Sequence, residues 1–237
     1  MTVRFKIKYP ATLWAFLFFF SKAFTQQTDF SVESLSYLPE VFYKTFDRDL
    51  PVYNGRLFSG YSSSIKGTAF FNDIQKETGT AVYDGVAYKN LRLMYDLNTD
   101  ELIVRGDDNL PYILFSDRVS AFTFRDLTFI RIDNNIIPKG FYQVLEQGAL
   151  TLLCKRQKII KESIVGMSLE REFLVTDKFY ILKDNVFYPI TSRRTFYKTI
   201  REKKQLVAKA LRSRNLRFKD DPEAFITTGI HIYNQQP

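Results

Sequence analysis

"VYDGVAYKNLRLMYDLNTDELIVR" (Val82–Arg105) decides how the rest of the chain is read. Asp84-Gly85 stands between two short apolar runs, and glycine readily takes the positive φ that a tight hairpin turn requires. "LRLMY" and "ELIVR" then flank Asp96, Asn98 and Asp100, residue types whose side chains hydrogen-bond nearby backbone N–H groups and so favour turns. The spacing predicts two hairpins sharing one strand. A competing reading takes Asp96, Asn98 and Asp100 as the first half of a calcium loop, with alternating side-chain oxygens converging on a hard cation. That match fails at position six, where Glu101 stands in place of glycine, and at position twelve, where Asp107 replaces a bidentate glutamate. The flanks are also strand-like, whereas such a loop joins helices. We therefore expect a turn and no metal site, with Asp96, Asn98 and Asp100 the nearest approach to one.

The same pattern extends outward over residues 51–190. "PYILF" and "VSAFTF" flank Ser116-Asp117-Arg118, and "FIRI" and "FYQVL" flank a loop containing Asp133-Asn134-Asn135, Pro138 and Gly140. "FYILKDNVFYPI" is predicted to turn at Asp184-Asn185. Turn signals every 8–12 residues without a helical period predict a mainly β domain, an antiparallel meander, barrel-like sheet or sandwich. "SGYSSSIKG" (Ser59–Gly67) reads as a flexible loop, and residues 24–50 as an N-terminal arm.

After Pro189 the period changes. Phe196, Ile200, Leu206, Val207, Ala210 and Leu211 fall at helical spacings, with Thr191 or Ser192 as the N-cap. Asp221-Pro222-Glu223 predicts a second start, followed by an apolar stripe of Phe225, Ile226, Ile230 and Tyr233 that Gly229 should weaken. Residues 191–237 are thus expected to form a basic helical segment, an α addition to the β domain. Its cations are Arg193, Arg194, Lys198, Arg201, Lys203, Lys204, Lys209, Arg212, Arg214, Arg217 and Lys219, against Glu202 as the acid among them.

The beginning of the chain is basic, with Arg4, Lys6 and Lys8, and continues into "ATLWAFLFFF" and a small-x-small pattern at Ser21 and Ala23. These features predict a signal peptide over residues 1–23, cleaved near Ala23. The apolar run is well short of the roughly 20 residues needed to cross a bilayer as a helix. The expected destination is the periplasm, envelope or extracellular space. Cys154 is the only cysteine, so stability must come from packing and not from an intramolecular disulfide.

Tyr83-Asp84-Gly85, Tyr88, Asn90, Leu93, Tyr95, Asp96 and Asp100-Glu101-Leu102 form a motif that resembles an uncharacterised family of exported proteins of the Bacteroidota. "YNGR" (Tyr53–Arg56), "GTAFF" (Gly67–Phe71), "FYQVL" (Phe141–Leu145) and the basic helical end with Tyr233 extend the resemblance over most of residues 24–237. It implies export and a β-rich fold, and no catalytic residue or cofactor comes with it.

Chemistry is sparse. His231 is the only histidine, which excludes a His-rich metal site, and the single cysteine excludes a zinc–cysteine cluster. A Cys154–His231 dyad would need the fold to join a strand to the final helix. We expect no cofactor and no catalytic residue, and a binding or interaction module of the cell envelope. Its contact surface is predicted at Arg193, Arg194, Lys198, Arg201, Lys203, Lys204, Arg212 and Arg214. A basic amphipathic helix is attracted to anionic headgroups or polymers, so the partner would be an anionic membrane surface, an envelope polymer or another envelope protein. Export argues against nucleic acid. The alternatives are a glycosidase-like hydrolase using two carboxylates in a β cleft, or a small outer-membrane-associated protein.

Overall fold

The computed structural model describes residues 51–53, 55–73 and 77–235; the predicted signal peptide and the whole of the N-terminal arm lie outside these. Fourteen strands follow in chain order. The first seven are β1 (Arg56–Leu57), β2 (Ile65–Lys66), β3 (Glu77–Tyr83), β4 (Val86–Asp96), β5 (Glu101–Arg105), β6 (Pro111–Ile113) and β7 (Val119–Phe124). The others are β8 (Leu127–Ile132), β9 (Gly140–Glu146), β10 (Thr151–Lys155), β11 (Lys158–Val165), β12 (Ser168–Val175), β13 (Lys178–Lys183) and β14 (Val186–Ile190). Helices α1 (Arg193–Thr199), α2 (Lys204–Ser213) and α3 (Pro222–Gln235) complete the described chain.

Eleven strands form one antiparallel sheet in the order β1-β6-β5-β4-β3-β7-β8-β9-β10-β13-β14. The mainly β, antiparallel expectation holds. Closure into a barrel does not occur, because β1 and β14 lie at opposite ends of the order. Two meanders run away from each other and meet where β3 pairs with β7. Both predicted two-residue turns are present. Asp84 and Gly85 have φ of 51° and 76°, and Asp184 and Asn185 have 49° and 59°. Positive φ at both central positions matches the twist of antiparallel strands.

The sheet's first core is aromatic. Phe122 and Phe129 stack with ring centroids 4.7 Å apart, and Tyr95 meets both edge-on. Leu91, Leu93 and Tyr95 alternate along β4 into this core, while Met94 points the other way onto Ile103 and Ile113. The end of β4 is thus buried on both faces, which accounts for an apolar run where strict alternation would be expected of a half-exposed strand.

The second core joins sheet to helices: Leu152, Ile181 and Ile190 meet Phe196, Val207, Leu211, Phe225 and Ile230. Ser192 caps α1, its hydroxyl accepting from the Thr195 backbone N–H, while Thr195 Oγ1 accepts from the Ser192 N–H. Asp221 caps α3 through the Ala224 N–H at 2.9 Å. Gly229 has a purpose beyond the helix itself. A Cβ there would lie 2.5 Å from Cζ of buried Phe196, so the missing side chain is what lets α1 and α3 approach. Leu206, one of the predicted stripe residues, is exposed.

Residues 59–67, read as a flexible loop, contain β2, which pairs in parallel with β12. Tyr61 also stacks edge-on against Phe173 at 5.2 Å. The β11–β12 hairpin, which the periodicity did not single out, carries exposed Ile164, Val165, Met167 and Leu169 around its Gly166-Met167 turn.

Candidate functional site

The turn at Leu97–Asp100 directs its acids to different partners. Asp96 is fully buried; its Oδ1 accepts from the backbone N–H groups of Asn98 and Thr99. Its Oδ2 accepts from the Tyr61 hydroxyl at 2.7 Å, and Asn98 Nδ2 donates to that same hydroxyl. Asp100 turns elsewhere, accepting from Lys155 Nζ at 2.8 Å and from the Tyr95 hydroxyl at 2.5 Å. Burial, and then the Asp96 hydrogen bond, push the Tyr61 phenol above its ordinary pKa. Burial and the nearby Asp100 charge do the same for Tyr95. These acids are oriented by hydrogen-bond donors and do not converge, and no group of metal-ligating side chains forms among the described residues.

The hydrolase alternative needs two carboxylates free to exchange protons. Among the described residues, each buried or half-buried carboxylate is already engaged. Besides Asp96 and Asp100, Glu101 pairs with Arg56, Glu146 with His231 and Glu170 with Lys66. Asp177 and Glu223 both pair with Arg156. That last cluster ties α3 to the sheet. Arg156 Nη1 and Nη2 reach Glu223 at 2.5 and 2.7 Å, Nη1 reaches Asp177 at 2.6 Å, and Nε reaches Gln143 at 2.7 Å. Burial works against the guanidinium, yet its bonds to Glu223 and Asp177 hold its pKa above the ordinary arginine value. Cys154 is buried beside this cluster, and burial pushes its thiol well above the ordinary value. A thiol so disfavoured as thiolate is a poor nucleophile. His231 is exposed, its Nδ1 2.9 Å from Glu146 and its Nε2 beside Gln235, so it partners residues other than Cys154.

The predicted basic surface is where unengaged charge collects. Arg193, Arg194, Lys198, Arg201, Lys204, Arg212 and Arg214 are exposed. The fold does not treat them alike. Lys203 turns inward, lying 4.6 Å over the Tyr233 ring and donating to the Tyr233 carbonyl. Arg201 lies 3.5 Å from Glu202, and Arg214 donates to the Ala210 carbonyl at the end of α2. Arg193 and Arg212, by contrast, line one cavity of about 420 Å³ together with Arg217 and Lys219. Among the described residues none of these four has a carboxylate within 4.0 Å.

The cavity floor is apolar. Buried Phe225 is met edge-on by Phe218 at 5.7 Å and by Tyr197 at 6.1 Å, and Leu211 and Leu216 also line the cavity. Arg193 lies over the Tyr197 ring at 5.5 Å. All four lining segments lie in residues 191–237, the stretch read as basic and helical. Phe218 and Leu216 did not stand out, because they lie in the link between α2 and α3 and share no period with either. Their signal is only the alternation of apolar and basic residues in "LRFK" (Leu216–Lys219). Compared with protein-family models, curated proteins and solved structures, the chain gives no match. Function therefore rests on the geometry.

Proposed function

We propose that this protein is an exported binding module of the cell envelope, without catalytic activity, and that the basic face of α1, α2 and the following link is its contact surface. The observation that carries this reading is the contrast in charge pairing. Among the described residues the buried and half-buried acids are engaged, whereas Arg193, Arg212, Arg217 and Lys219 line a common space and have no described carboxylate within 4.0 Å. Cations gathered without acids attract an anionic partner and raise its local concentration. The basic start of the chain, its short apolar run and the small residues at Ser21 and Ala23 support export, as does the resemblance to exported Bacteroidota proteins. No described helix is long and apolar enough to cross a membrane.

The partner class that fits is an anionic envelope surface or polymer. Fractionating producing cells at low ionic strength, then washing the membranes with 1 M salt and with detergent, tests this directly. The Debye length falls from about 10 Å at 0.1 M to about 3 Å at 1 M salt, so an electrostatic attachment should release in the salt wash. Release by detergent alone, or recovery wholly in the soluble fraction at low salt, would overturn the basic face as the attachment surface.

A further inference from the structure

The cavity between α1 and the α2–α3 link has the composition of a ligand pocket more than of a flat electrostatic patch. Its volume of about 420 Å³ lies in the range of small-molecule sites, roughly 300–1,000 Å³. Its two halves ask for different things. The floor is aromatic, with half-buried Phe218 and Tyr197 packed on buried Phe225, and would be covered by an apolar group. The rim offers three guanidiniums and one ammonium, and a guanidinium presents paired N–H donors that match carboxylate and phosphate oxygens.

The neighbouring acids do not neutralise this rim. Asp220, Asp221 and Glu223 follow directly in sequence but are not among the residues lining the cavity. Asp221 is committed to the α3 N-terminus through the Ala224 N–H. Glu223 is held by both Nη atoms of Arg156. Two of these three carboxylates thus serve the α3 cap and the clamp to the sheet, and none of the three lines the pocket.

We infer that the pocket takes a single anionic amphiphile, a monoacyl phosphate or carboxylate. Its head would be held by Arg212, Arg217, Lys219 and Arg193, and its chain would lie on Phe218, Phe225 and Tyr197. This rests on reading the basic face as the contact surface and adds its ligand chemistry. A purely polyanionic partner would use the rim and leave the aromatic floor wet. A neutral lipid would use the floor and leave four cations clustered without a counter-ion.

Titration calorimetry on the chain beginning after Ala23 provides the test. The probes are dodecyl phosphate and dodecanoate below their micellar concentrations, dodecyltrimethylammonium as the opposite charge, and inorganic phosphate as the bare head. Both anionic amphiphiles should bind at least tenfold tighter than phosphate, and the cationic one should not bind. Arg217→Glu, at an exposed position, and Phe218→Ala should each weaken binding at least tenfold while the circular dichroism spectrum is unchanged. Equal affinity for the cationic analogue, or no response to either substitution, overturns the proposal. Phosphatidylglycerol vesicles separate the sources of the anion. If vesicles bind in a salt-dependent way and monomeric amphiphiles do not, the pocket fails and the basic contact surface stands. If monomeric amphiphiles bind and membranes are retained independently of salt, the pocket stands and the electrostatic attachment fails.

Discussion

Arg156 and Arg212 stand in similar-looking basic sequence, "CKRQK" and "LRSRN", and the fold gives them opposite environments. Arg156 is 12% exposed at its side chain and reaches Gln143, Asp177 and Glu223. Arg212 is exposed, faces a cavity and meets no carboxylate among the described residues. The first cation is consumed in holding α3 to the sheet; the second is available to something else. A basic run in sequence thus mixes structural and unengaged charge, and only the positions of the acids separate them.

The comparison can be broken or sharpened by substitution. Arg156→Ala should have the largest effect, because it strands Asp177 and Glu223 without their cation. Removing one partner of a buried pair costs about 3–5 kcal/mol, and chemical denaturation should show a loss of that order. A loss below about 1 kcal/mol would mean the clamp is as dispensable as a surface pair. Gly229→Ala comes next. The added Cβ meets Phe196 at 2.5 Å, and overpacking of this kind costs about 1–3 kcal/mol. Since α1 and α3 both contribute to the cavity, amphiphile affinity should fall alongside the melting temperature.

Asp221→Ala should cost about 1 kcal/mol, the usual loss for an N-cap, and leave affinity for the anionic amphiphile within twofold. A large gain in affinity would instead show Asp221 to be a counter-charge of the pocket. Arg212→Ser and Arg217→Ser should change stability by no more than about 0.5 kcal/mol while lowering affinity. That pairing of results is the opposite of the Arg156→Ala outcome and is the sharpest form of the comparison.

The smallest effect concerns acid pH. A hydrogen bond from Lys183 holds the exposed Glu202 carboxyl below its ordinary pKa. A group depressed in the folded state adds stability above its unfolded value, about 4.3 for glutamate, and loses it as pH falls through the lower folded value. Glu202→Gln should therefore lower the melting temperature slightly at neutral pH, leave it unchanged at the acid end, and so flatten the acid limb of the profile. A steeper acid limb in the variant would contradict the assignment.

The hairpins were legible in sequence where one residue type carries the turn. Asp84-Gly85 and Asp184-Asn185 need positive φ, and glycine, asparagine and aspartate are the residues that tolerate it. The helices were legible through their periods and caps, as Ser192 and Asp221 show. The β11–β12 hairpin was harder. Its strands alternate charged and apolar residues on both faces because most of their surface is solvated, so no buried stripe marks them. Gly229 was legible as a helix weakness, but its reason lies thirty-three residues away in Phe196.

The candidate site divides in the same manner. Sequence alone determined that residues 191–219 are strongly cationic, that catalysis has few available groups, and that Asp96, Asn98 and Asp100 make a turn better than a calcium loop. Those conclusions follow from composition and local spacing, which act over a few residues. Tertiary structure decided which cations remain unengaged, that Asp96 and Asp100 face different donors, and that Arg193, Arg212, Arg217 and Lys219 share one aromatic-floored cavity. The reason is physical: charge pairing and cavity formation depend on distance in space, and the chain brings Arg156 to Glu223 across sixty-seven residues only once sheet and helices have packed.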